Sequence, residues 1–311
     1  MFQIALSQIT TARWELPREL PCFANNGFSS VALWRHKISD FTNDEIQLLF
    51  QEYSMNASSV QWAGGFTGSD GRSFEESLTD AEDAIHLASS LKCPIVVLHS
   101  GSRGGHTLSH ARRLLADAIE SLIPVANQKN VQLALKPLHP HASAGCSFLT
   151  ELTDAIALID QFNECSLLNR PVGLSLDLWH FADDPHLLDH LPDLVRRTLV
   201  IQVADRTAPP SNEHERLPVG RGMLPLKDIA SQCIAAGYDG VFEFDPIGEA
   251  VEAVGYESVI HTLSNIAACW SNTLGTHQLQ AAQQTHQPDY LRRPSSVSRK
   301  SQASNQVVSP G

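Results

Sequence analysis

No stretch of the 311 residues approaches the roughly 18 uninterrupted apolar positions that a membrane-spanning helix requires. The first residues, MFQIALSQIT, also lack the basic region and small-residue cleavage site of a secretory signal, so a soluble, cytoplasmic protein with no membrane partner is expected. No two of the six cysteines (22, 93, 146, 165, 233 and 269) form a CxxC pair. That spacing argues against a zinc knuckle or a disulfide framework and leaves reduced, mostly buried thiols. Positive charge is scarce as well: 22 Lys and Arg face 34 Asp and Glu, for a net charge of -12. A phosphate-backbone surface needs clustered cations, so nucleic acid is not an expected partner and a small molecule is.

The sequence does contain enough apolar residues for a full core, 42% of the chain, and one main domain of this length is ordinary for a barrel. Short β-rich runs alternate with longer segments of helical periodicity, the pattern of repeated βα units around a parallel sheet. Eight strands are expected: Phe2 to Ser7, Ser30 to Trp34, Ala57 to Trp62, Pro94 to His99, Val131 to Lys136, Val172 to Asp177, Thr198 to Val203 and Gly240 to Asp245. Helices are expected over Phe74 to Leu91, His110 to Gln128 and Pro225 to Ala236, with C-caps at Asn26-Gly27, Asn130 and Gly237. An open doubly wound sheet would want a glycine-rich phosphate turn opening a helix after an early strand. The one early glycine cluster, Gly64-Gly65-Phe66-Thr67-Gly68, does not open one, so a closed (β/α)8 TIM barrel is the expected fold.

Side-chain parity then locates a candidate site. Along a barrel strand alternate residues face the helices, and chemistry gathers at the C-terminal strand ends. Leu133 and Leu135, the apolar residues of VGLSLD, Leu199, Ile201 and Val203, and Phe242 and Phe244 suit the helix-facing side. Lys136, Asp177, Gln202, Glu243 and Asp245 are then directed inward, and four consecutive strands close on a polar residue. His180 lies one loop step beyond Asp177.

After about Asn272 the composition turns to Gln, Ser, Thr, Pro and His, which cannot bury enough apolar surface to offset its ordering. Residues 1–272 are read as the barrel and residues 273–311 as a disordered, weakly basic tail.

The segments LALKPLHP, GLSLDLWH, VADRTAPP through RLPVGRG, and GYDGVFEFDP together resemble the sugar phosphate isomerase and epimerase superfamily, the xylose isomerase-like TIM barrels. The resemblance implies one divalent metal, Mn, Zn or Mg, held by Glu, Asp, His and Glu at the ends of strands five to eight. By motif Lys136 stands at the first Glu, Asp177 matches the Asp, Gln202 stands at the His, and Asp245 replaces the second Glu. His180 matches a histidine that commonly follows the strand-six Asp. Asp177, His180 and Asp245 are therefore the candidate metal ligands. An ammonium repels a dication, however, and an amide is a poor ligand beside imidazole, so a degenerate site that binds no tight divalent metal is expected from Lys136 and Gln202.

Three functions are open on these residues. One is a sugar, sugar phosphate, sugar acid or cyclitol isomerase or epimerase, with Asp245 as base and Lys136 as electrostatic stabiliser or Schiff-base former. His99, His139, Gln202, Arg206 and Glu243 would bind its carbohydrate substrate. Another is a carbohydrate-binding barrel with little or no catalysis, in which Arg206, Arg216 and Arg221 hold an anionic or hydroxyl-rich ligand. The third is an endonuclease IV-like role, which the acidic composition disfavours. Two further features have two readings each: the loop His99 to Thr107 as a phosphate cradle or a simple capped helix start, and Trp14, Trp34, Trp62 and Trp179 as stacking platforms or rim packing. The resemblance also implies a possible homo-oligomer, since many such barrels associate through their helices.

Overall fold

A computed structural model describes residues 2–143, 145–163, 170–211 and 215–285. Eight parallel strands close in sequence order: β1 (Gln3–Ser7), β2 (Ser30–Trp34), β3 (Asn56–Gly64), β4 (Ile95–His99), β5 (Gln132–Leu135), β6 (Val172–Asp177), β7 (Thr198–Val203) and β8 (Val241–Phe244). Pairing of β1 with β8, Gln3 through Leu6 against Val241 through Phe244, completes the ring. All eight expected strands are present. Lys136 and Asp245 fall one residue beyond theirs, yet their backbone N–H groups continue the ladder to Leu98 and Val203.

Around the ring lie α1 (Leu16–Asn25), α2 (Arg35–Ile38), α3 (Asn43–Tyr53), α4 (Phe74–Ser90), α5 (Leu108–Lys129), α6 (Leu152–Asn163), α7 (Leu178–Phe181), α8 (Leu187–Val195), α9 (Leu226–Ala235), α10 (Glu249–Val254) and α11 (Tyr256–Thr285). The expected C-caps are in place. Asn130 ends α5 at φ 56°, and Gly27 and Gly237 follow α1 and α9 at φ 82° and 99°, the left-handed region that Asn and Gly enter most easily.

The apolar residues divide as strand parity demands. Leu133, Leu135, Leu174, Leu176, Ile201, Val203, Phe242 and Phe244 join the large core between strands and helices. Ile95, Val97, Ala134 and Val200 form a small separate cluster inside the ring. Leu199 departs from the expected outward direction. The β6–β7 register slips between Leu174 and Ser175, which makes Leu199 the extra residue of a bulge, and it packs against the interior cluster. Gly173 makes room for it, because a Cβ there would stand 2.5 Å from Leu199 Cγ.

The last helix continues past residue 272. α11 runs through residue 273 to Thr285, with Trp270 edge-on against Phe242 and Phe244 and Leu274 only 2% exposed. Residues 286–311, the rest of that expected tail, lie outside the described residues.

Candidate active site at the barrel mouth

The C-terminal ends of the strands and the loops that follow surround a cavity of about 940 Å3 whose wall includes His99, Lys136, His180, Arg216 and Asp245. At its floor, Asp177 is fully buried. Its Oδ2 lies 2.8 Å from Lys136 Nζ and 3.1 Å from Arg216 Nη1, while Oδ1 accepts the backbone N–H of Trp179 and so caps α7. Burial drives this carboxyl's pKa up, but the charges of Arg216 and Lys136 more than reverse that, and it is held well below the usual carboxylate range. Arg216 Nη2 also reaches both oxygens of Asp245, at 2.7 and 2.6 Å. Burial, reinforced by the nearby charge of Asp177, nevertheless raises the Asp245 pKa. The guanidinium is pushed further from neutrality by the two carboxylates and stays a cation.

Arg216 arrives on a short segment pinned from both sides. Leu217 pairs antiparallel with Asp205 beyond β7, and Arg216 pairs with Ile247 beyond β8. Asp205 secures the turn further, its carboxylate accepting the N–H groups of Arg206, Gly220 and Leu224. The Arg216 guanidinium lies over the Trp179 ring at 5.3 Å, a cation–π contact, and Trp179 Nε1 donates to Glu215 O. Sequence reasoning placed Arg216 near the mouth without giving it these partners. The signal was a charge imbalance: two inward carboxylates at β6 and β8 needed more than one cation.

His99 and His180 are neutral. Burial, with Lys136 and Arg216 adding to it, lowers His180 to about 3, although Asp177 pulls the other way. His180 Nδ1 accepts the His139 N–H at 3.3 Å, which leaves the proton on Nε2, 3.8 Å from Asp177 Oδ2. Burial and then Lys136 bring His99 to about 3 as well, and its ring lies 5.3 Å from that of Trp62.

Below this charged layer is a second polar one that sequence reasoning resolved only in part. Glu243 is completely buried and accepts from Ser58 at 2.7 Å, Ser59 at 2.6 Å, Gln61 at 2.8 Å and Gln202 at 3.4 Å. Burial raises its pKa against those hydrogen bonds. Gln202 and Glu243 thus face inward as expected but meet each other rather than the cavity, and Gln202 Oε1 has no partner. The β3 contributors were missed because the register shift in β3 disrupts simple alternation.

Two expected substrate contacts turn elsewhere. Arg206 is 1% exposed and its guanidinium donates to Trp179 O, Ala208 O and, at 2.5 Å, Asp183, so it braces the loop rather than lining the cavity. His139 Nδ1 accepts from His141 N, and its ring also stands outside the cavity wall. Thr107 accepts from His110 N and caps α5, which favours the simple reading of that loop.

Lys136 lies against the Asp177 carboxylate and Arg216 against those of Asp177 and Asp245, and among the described residues no group of three or more His, Cys, Asp or Glu is arranged to hold a metal.

The sequence is similar to a protein named "putative hydroxypyruvate isomerase" from Streptomyces coelicolor, 28% identical over 259 residues that make up 77% of this chain and 88% of that one. The fold is similar to that of protein SMc04130 from Sinorhizobium meliloti, with a TM-score of 0.75 and 21% identity over 84% of this chain and 96% of that one. It is also similar to that of the IOLI protein, solved with zinc bound, with a TM-score of 0.74 and 17% identity over 87% and 98%. Residues 23–270 match the family model for the xylose isomerase-like TIM barrel, and with the closed ring and the polar C-terminal mouth already described, the chain belongs to that family.

Proposed function

We propose that this barrel isomerises or epimerises a small hydroxylated carbonyl compound, a sugar, sugar acid or short hydroxy-oxo acid, without a divalent metal. The observation that carries the proposal is the pair of basic side chains, Lys136 and Arg216, gathered with Asp245 on the wall of one cavity. Proton transfer next to a carbonyl needs a base and a positive group to stabilise the enediolate. Asp245 is the base: it takes the proton from the carbon beside the carbonyl as the C–H electron pair moves onto the carbonyl oxygen. Lys136 stabilises that oxygen. The proton then returns to the neighbouring carbon in an isomerisation or to the opposite face of the same carbon in an epimerisation. Neutral His180, with its Nε2 proton, carries the hydroxyl proton between the two oxygens.

Hydroxypyruvate is the first compound to test, given the name of the Streptomyces coelicolor relative. In D2O, proton NMR should show the hydroxymethyl protons of hydroxypyruvate exchanging faster with the protein than without it. The rate should be unchanged by EDTA and should fall about 100-fold or more in Lys136→Met. Exchange that requires added zinc or manganese would overturn the metal-free reading. Because Arg216 already engages both oxygens of Asp245, a second reading, binding without turnover, also has support. It is distinguished in the same sample by saturation with no exchange.

A further inference from the structure

The cavity is larger than the chemistry on its floor requires. At about 940 Å3 it lies at the upper end of the range for drug-sized ligands, and a three-carbon acid fills only a small part of it. Its wall is also divided by chemistry. The side built from β4 to β8 carries the charged and ionisable groups, His99, Lys136, His180, Arg216 and Asp245. The side built from β1 to β4 presents Ile9, Trp34, Ile38, Phe41, Trp62 and Leu87, interspersed with polar residues that include His36, Gln61, Asp70 and Asp83. Arg35 and Arg72 at the outer lip do not offset this apolar character, because both are paired with Asp80 at 2.7 and 3.0 Å.

Trp62 is the informative residue. It is 41% exposed, whereas Trp14, Trp179 and Trp270 are all buried. Its ring stands beside His99, where the apolar and charged sides meet. The neighbouring Trp34 segment is tied down by hydrogen bonds. Gln8 Oε1 accepts the Trp34 N–H at 2.8 Å, and the buried Lys37 ammonium ties Glu19 on α1 to the backbone oxygens of Gln8 and Thr11. A solvent-facing indole at the edge of a charged chamber offers a stacking surface whose desolvation on binding is favourable.

We infer that the cavity takes a hydroxylated carbonyl compound bearing a ring-sized apolar substituent, with the polar head over Lys136, Arg216 and Asp245 and the substituent against Trp62. The inference rests on the proposed function for the head and adds the class of the remainder. 2-Hydroxyacetophenone and hydroxyacetone are suitable calorimetric probes, since they share a hydroxymethyl ketone head and differ only in a phenyl or methyl substituent.

The phenyl compound should bind about tenfold more tightly than the methyl compound. Trp62→Ala should abolish that ratio, and Trp62→Phe should keep most of it, with thermal melts checking that each variant is folded. Equal affinity for the two probes, binding by neither, or a ratio that survives Trp62→Ala overturns the inference. Failure of hydroxypyruvate exchange with the ratio intact counts against the proposed chemistry alone.

Discussion

His99 and His180 share a cavity with Lys136 and Arg216, and both imidazoles are held neutral. For His99 the consequence for stability has a definite sign. An imidazole in the unfolded chain titrates near 6.5, and the folded protein lowers this one to about 3. Below pH 6.5 the unfolded state therefore binds a proton that the folded state refuses; stability from this group is complete above that pH and is lost as the pH falls toward 3. Between pH 7 and pH 5 the loss is about 2 kcal/mol. Glu19, Glu243 and Asp245, whose pKa values are raised, act in the opposite direction, so the test is a comparison. Urea unfolding at the two pH values should show His99→Gln declining less than the unmodified protein by about that amount, and parallel declines would contradict a buried neutral ring. At this scale the sequence was readable where strand parity applied: Lys136, Asp177 and Asp245 do meet. It was not readable for Arg216, which comes from a loop whose course depends on bridges to Asp205 and Ile247. Nor was it for Arg206, because a guanidinium looks the same in sequence whether it faces a ligand or braces a loop.

Among the elements, α4 presents Asp80, Asp83 and Leu87 to the cavity wall. Its start is fixed by a capping box: Ser73 accepts the Glu76 N–H, and the Glu76 carboxylate accepts the Ser73 N–H. Thr42 and Glu45 do the same for α3. Ser73→Ala should cost about 1 kcal/mol in chemical denaturation. An unchanged midpoint would mean that packing against β3 alone sets the helix start. Strand positions were legible because each run is apolar and bounded by turn residues. The bulge at Leu199 was not, since whether a strand gains a residue is decided by its neighbours' register rather than by its own composition.

For the molecule as a whole, ring closure was legible from eight alternating units, but the extent of the closing helix was not. Polar composition after residue 272 suggested that order ends there, yet one apolar side chain at the right helical phase is enough to carry α11 further: Leu274 is 2% exposed. A chain ended after Asn272 loses that buried leucine and should be less stable by about 1.5–3 kcal/mol, read as a lower thermal midpoint. An unaltered midpoint would show that Leu274 adds nothing to the clasp on β8.

One guanidinium answers to two acids at the barrel mouth. Asp177 and Asp245 consequently have no independent electrostatic life: neutralising either one hands Arg216 to the other, whose acidity then strengthens. Neither carboxylate can evolve a new strength alone, and a change in chemistry at this site has to pass through the arginine that they share.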